Sequence, residues 1–144
     1  MMNTNITPYT PNPKFKTSVA YFAMEFGSDQ SLPIYSGGLG FLAGSHLRSA
    51  YELKQNLIGI GILWKYGYYD QSKNEDGSMK VEFIAKDYPF LEDTGIVFYL
   101  NVQNRQVAVK ALLLKPTTFN TAPLYLLSTD LAENDDFGKS MSGR

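Results

Sequence analysis

The chain has no cysteine, which excludes disulfides, thiolate metal sites and cysteine nucleophiles. Its single histidine, His46, excludes a multi-histidine metal centre and argues against a Ser-His-Asp triad. Charge of either sign is not in excess: 13 Lys and Arg stand against 14 Asp and Glu, a net charge of −1. A surface built for nucleic acid or an anionic membrane is therefore not expected. No apolar run approaches the roughly 20 residues of a membrane-spanning helix. The segment Met1 to Lys16 lacks the apolar centre of a signal peptide and carries Pro8, Pro11 and Pro13. It reads as an extended, poorly ordered arm on a protein of cytoplasmic type.

What remains is ordinary globular material. At 144 residues, with 44% hydrophobic and 19% charged side chains, the chain is one domain, or part of one, with enough apolar surface for a core. Val19 to Phe26 is apolar except for Glu25, as expected of a strand buried on both faces. Leu57 to Trp64 is a second such run, its glycines at 59 and 61 leaving room for a helix on one face. Between them, Leu39, Leu42, Ala43, His46, Leu47, Ala50 and Leu53 recur at helical spacing and predict one apolar stripe. Gly44 within that helix costs about 1 kcal/mol against alanine, which points to close packing against the sheet. Strand, helix and strand make a right-handed βαβ unit over residues 19–64.

The chemistry gathers at Ser36-Gly37-Gly38-Leu39-Gly40, where a long loop, Gly27 to Ser36, feeds the helix. Adjacent glycines let the backbone approach a ligand closely. A helix start collects unpaired N–H groups and the positive end of the dipole, a combination that suits an anion such as phosphate. A plain connecting turn is the other reading of the same residues. Glu25 lies near the carboxyl end of the first strand, where α/β sheets place their ligands. Both a functional carboxylate and a structural acceptor of backbone hydrogen bonds fit it. His46, on or beside the apolar stripe, reads as a buried and satisfied histidine before it reads as a catalytic one.

Residues 65–115 change character and predict a β-rich insertion. Asn74 to Ser78 is a turn, Met79 to Ile84 a short strand, and Gly95 to Val102 and Gln106 to Leu114 two strands around Gln103-Asn104-Arg105. Tyr66, Tyr68 and Tyr69 suit either sugar stacking or packing at a sheet edge. A returning buried strand follows at residues 123–129.

Taken jointly, these blocks resemble the α-glucan (glycogen, starch or maltodextrin) phosphorylases of the short bacterial and archaeal type. The resemblance runs through Val19-Ala20-Tyr21-Phe22-Ala23-Met24-Glu25-Phe26-Gly27, Ser31-Leu32-Pro33-Ile34-Tyr35-Ser36-Gly37-Gly38-Leu39-Gly40 and Leu42 to Ala50. It continues through Gly59 to Tyr68 and Pro123 to Asn134, in family order. It implies an α/β fold: an incomplete Rossmann-like N-terminal domain of a GT-B glycosyltransferase, residues 17–144. It implies phosphorolysis of α-1,4-glucan by inorganic phosphate, giving glucose 1-phosphate, with pyridoxal phosphate assisting through its own phosphate group. Gly37, Gly38 and Leu39 would face that phosphate and sugar region, with Glu25 and His46 as supporting groups and no metal. Catalytic residues and the cofactor lysine are expected beyond Arg144, since none of the ten lysines sits in a matching block. The missing C-terminal portion is the implied partner, a homo-oligomer belongs to the full-length protein, and the isolated chain is expected to be inactive. Ser45 stands where the family commonly has aspartate.

Other classes fit less well. A non-catalytic phosphate- or glucan-binding module would need a self-contained core, whereas a missing part of the sheet would leave apolar faces and strand edges open. A dinucleotide fold would need a shorter loop before the glycines and an acidic residue where Trp64 stands. Glycogen and starch synthases share a Gly-Gly-Leu turn but precede it with lysine, where this chain has Tyr35 and Ser36.

Overall fold

The computed structural model describes residues 9–143. Its elements are β1 (Val19–Phe22), α1 (Gly38–Glu52), β2 (Leu57–Ile62), β3 (Asp70–Lys73), β4 (Met79–Glu82), β5 (Glu92–Val102), β6 (Arg105–Leu114), α2 (Pro116–Phe119), β7 (Leu124–Ser128) and α3 (Asp136–Ser140). The fold is mixed α/β. A five-stranded sheet has the order β1-β2-β7-β6-β5, with β1, β2 and β7 parallel and β6 and β5 antiparallel.

Period-2 alternation decides which residues meet α1. Leu57, Gly59 and Gly61 of β2 and Leu124 and Leu126 of β7 are buried on the helix side. There they join Phe26, Leu32, Ile34, Leu47 and Leu114 in the core, all fully buried. A Cβ at Gly59 would stand 3.1 Å from Leu47 Cδ1, so the glycine lets the helix sit close. The opposite face is uncovered among the described residues: Ile58, Ile60, Ile62, Tyr125 and Leu127 are half-buried and Phe22 is 70% exposed. The expectation that the first strand is buried on both faces therefore does not hold. β1 ends at Phe22 and lies at the sheet edge, and among the described residues nothing covers its Phe22 face.

The helix stripe also differs from the expected one. Gly40, Ala43, Gly44, Leu47 and Ala50 are buried, whereas Leu39, Leu42 and Leu53 are exposed. His46 is exposed too, against the expectation of a buried histidine. Positions 40, 43, 44, 47 and 50 already complete one face at 3.6 residues per turn, and 39, 42 and 46 are rotated off it. Gly44 packs closely as expected, but against backbone and not against the sheet. A Cβ there would stand 2.5 Å from the carbonyl carbon of Gly27.

The β-rich stretch divides. β3 and β4 form a separate antiparallel ribbon, while β5 and β6 extend the central sheet. Gln103 and Asn104, both with positive φ, make the two-residue turn between them. The chain after β7 folds back. Asn134 exchanges hydrogen bonds with both the N–H and the carbonyl of Ala108, and Ser142 bonds Thr129. Of the expected arm 1–16, residues 1–8 lie outside the described residues. The rest has no regular structure and is tied to the end of α1, with Tyr9 Oη donating to Gln55 O at 2.6 Å and Asn12 N to Lys54 O at 2.8 Å.

This packing separates two effects at Gly44. Alanine improves helix propensity by about 1 kcal/mol, but overpacking against rigid backbone costs about 1–3 kcal/mol. Gly44→Ala should therefore lower the urea midpoint. Leu47→Ala should cost about 2–5 kcal/mol, and His46→Ala should stay within about 0.5 kcal/mol of the parent.

Candidate functional site

The loop that delivers the glycine turn is built from local polar ties and two buried anchors. Asp29 accepts hydrogen bonds from Ser31 N at 2.9 Å and Ser31 Oγ at 2.7 Å. Those bonds hold its carboxyl below the usual carboxylate range. Leu32 and Ile34 then drop into the core, and Pro33 O accepts from Tyr68 N at 2.9 Å. Glu25 closes the loop from the other side. Its Oε2 accepts from Ser36 N at 3.0 Å and its Oε1 from Ser36 Oγ at 3.3 Å.

The turn follows at once. Gly37 has φ +150° and ψ −156°, a region essentially restricted to glycine. It is the N-cap of α1, and no side chain caps the helix and no acid stands in its first turn. Among the described residues the first N–H groups of α1 therefore have no side-chain acceptor, which leaves the anion-binding end of the helix open. A Cβ built on Gly37 or Gly38 would touch nothing within 4 Å. The fold needs glycine at 37 for its dihedrals, but nothing within the described chain requires it at 38.

Gly37, Gly38 and Leu39 line a cavity of about 530 Å³ together with Tyr21, Ala23, Met24, Glu25, Ser36 and Leu42. The expected residues 25, 37, 38 and 39 are thus brought together. His46 is not among them; its ring lies against Tyr21, with centroids 4.7 Å apart. Tyr21, Met24 and Leu42 were not singled out from the sequence as site residues. Their signal is positional, because Tyr21 and Met24 lie on or just beyond β1, whose carboxyl end borders the cavity. Leu42 lies one helical turn after it.

Electrostatically the cavity is unusual for an anion site. Among its lining residues Glu25 is the one charged side chain, and no Lys, Arg or His contributes. Backbone donors and a nearby carboxylate suit a ligand that combines an anionic group with hydroxyls, while tight capture of free phosphate needs cations from elsewhere. The apolar rim is open, with Leu39 80% exposed and Met24 61%. The carboxyl ends of the parallel strands share one sheet edge. Beyond β2 and β7 on that edge, Lys65 pairs with Asp130 at 2.9 Å. Among the described residues no three His, Asp or Glu side chains gather as metal ligands, and no helix is long and apolar enough to cross a membrane.

No family model matches the chain. Curated relatives do. An uncharacterized protein of Methanocaldococcus jannaschii is 52% identical over 123 residues, 85% of this chain and 24% of that protein. The maltodextrin phosphorylase of Thermococcus litoralis is 36% identical over 142 residues, 92% of this chain and 17% of that enzyme. The glycogen phosphorylase of Mycobacterium tuberculosis is 34% identical over 139 residues, 89% of this chain and 16% of that enzyme. The chain thus spans a quarter or less of the length of these relatives. With nearly all of its own length aligned to enzymes of one kind, the chain belongs to the α-glucan phosphorylase family and corresponds to a limited segment of its members.

Proposed function

We propose that this chain is the N-terminal portion of a glucan phosphorylase of GT-B architecture, which releases glucose 1-phosphate from α-1,4-glucans by attack of inorganic phosphate. The reading is carried by one observation: the uncapped turn Gly37-Gly38-Leu39 faces an open cavity at the carboxyl end of β1. In this reading the N–H groups of Gly37, Gly38 and Leu39 bind an oxygen of the phosphate or sugar. They are fixed before the ligand arrives, so charge developing on that oxygen is stabilised without reorganisation. Tyr21, Met24 and Leu42 form the apolar side of the cavity.

The pyridoxal phosphate that this family reading implies would supply its phosphate group beside the reacting sugar. The cavity does not fit it as a holding site. Its lining offers backbone donors but no amine to bond the cofactor and no cation to hold its phosphate. An anchor would have to come from a portion of the protein outside this cavity. The isolated chain then has one wall of an active site and no turnover. The implied partners are α-1,4-glucan, inorganic phosphate and that remaining portion, in a cytoplasmic setting.

A second reading, a non-catalytic glucan- or phosphate-binding module, draws support from the closed core, in which Phe26, Leu32, Ile34, Leu47, Leu114, Leu124 and Leu126 are all 0% exposed. The uncovered apolar face of the sheet weighs against it.

The purified chain, incubated with maltodextrin, phosphate and pyridoxal phosphate, should form no glucose 1-phosphate; measurable product would contradict the proposal. A monodisperse monomer that melts cooperatively and binds maltodextrin would favour the module. The two glycines should also separate. Gly37→Ala should cost about 1–3 kcal/mol in urea denaturation through backbone strain. Gly38→Ala should leave stability within about 1 kcal/mol of the parent yet abolish the amide shifts that inorganic phosphate induces at residues 38 and 39.

A further inference from the structure

The geometry assigns a positioning role to Glu25: its carboxylate ties down Ser36 and thereby aims the N–H groups of Gly37, Gly38 and Leu39 into the cavity. The tie is double, through Ser36 N at 3.0 Å and Ser36 Oγ at 3.3 Å, and it joins residues eleven apart in sequence. Hydrogen bonds to an ionised carboxylate are stronger than neutral ones. Both oxygens accept from the residue immediately before the turn, so Glu25 restrains the turn as well as lining the cavity.

The tie matters because Glu25 itself stands on a firm base, while the turn is held on its helix side, where Phe41 N donates to Gly37 O at 3.1 Å, and has no side-chain anchor of its own at Gly37 or Gly38. On either side of Glu25, Met24 O accepts from Trp64 Nε1 at 2.9 Å and Phe26 is fully buried. By contrast, Gly37 has no side chain, α1 has no capping side chain, and a Cβ at 37 or 38 would meet no neighbour. Upstream, the nearest deep anchor is Ile34, and Tyr35 packs edge-on to Phe41 with centroids 5.1 Å apart. Between that anchor and the helix, the Ser36 bonds oppose rotation of the Gly37 peptide. A misplaced donor is a weak one, since hydrogen bonds fall off steeply with angle.

The consequence for binding rests on the reading of Gly37 to Leu39 as the donor turn, whereas the restraint on the turn does not. Amide hydrogen exchange of the 144-residue chain tests the restraint, and titration with inorganic phosphate, followed by amide shifts at residues 38 and 39, tests the consequence. Glu25→Ala should speed exchange at Ser36 to Leu39 by about tenfold or more, while exchange in β2 and β7 stays as in the parent. Phosphate affinity should fall by a similar factor with an unchanged melting midpoint. Glu25→Gln keeps an acceptor for Ser36 N and should restore most of both. Exchange at Ser36 to Leu39 that is the same in Glu25→Ala as in the parent overturns the proposal, as does failure of Glu25→Gln to rescue. If Glu25→Ala does not fold, Glu25→Asp, which withdraws the carboxylate by one methylene, takes its place: faster exchange at Ser36 to Leu39 supports the restraint, and unchanged exchange overturns it. Absence of phosphate shifts in the parent counts against the reading of Gly37 to Leu39 as a phosphate-binding donor turn, and the exchange comparison still decides the role of Glu25.

Discussion

The arrangement depends on the close approach of two stretches of backbone, the turn after β1 and the first half of α1. Gly27 N donates to Gly40 O at 2.7 Å, and a Cβ at Gly27 would stand 3.1 Å from the same carbonyl group. Gly44, one turn further on, packs against the Gly27 carbonyl with no room for a side chain. Arg48, a further turn along, donates to Ser28 O. Helix and turn are thus joined along three successive levels, the first two at a separation that leaves no room for a side chain. The helix start is then held beside the end of β1, the one place where Glu25 can reach Ser36 and where the free N–H groups can share a cavity with Tyr21. A cavity between a strand end and a helix start exists here because the two elements are pinned just behind it.

The second governing fact is that the sheet has one covered face. α1 and the loop 27–36 bury Leu57, Gly59, Gly61, Leu124 and Leu126. On the other face Phe22, Ile58, Ile60, Ile96, Phe98, Tyr125 and Leu127 line an apolar hollow of about 330 Å³. Parallel strands are ordinarily covered on both sides. β1, β2 and β7 carry the apolar side chains for a second layer that the described residues do not supply. That agrees with a chain that spans a quarter or less of the length of its relatives.

Much of this was legible in the residues. The βαβ unit follows from two apolar runs flanking a helical period, and β1 and β2 pair in parallel; the parallel pairing of β2 with β7 is the structure's addition. The glycine turn is legible in the local order Gly37-Gly38-Leu39-Gly40 ahead of a helical period, although that pattern leaves a binding turn and a plain connecting turn equally open. The β5–β6 hairpin is placed by the turn read at Gln103-Asn104-Arg105; the structure confines that turn to Gln103 and Asn104, both with positive φ, and puts Arg105 in β6. Glu25 was recognised as either functional or a structural acceptor. The structure shows it accepting from Ser36, and its partner lies too far along the chain for a spacing rule to name.

What the sequence determined by itself was local: which segments extend, which coil, where glycine interrupts them, and that no thiol or multi-histidine chemistry is available. What only the tertiary structure decided was the environment of each side. An apolar period says that a face is apolar but not what lies against it. Leu39 and Leu42 therefore looked like core and proved exposed, and Phe22 looked buried and lies open. The destination of β5 and β6 was likewise undecided, since strand pairing is set by contacts distant in sequence. His46 left the predicted stripe for the same physical reason: burial belongs to the packed pair of surfaces, and the helix carries only one of them.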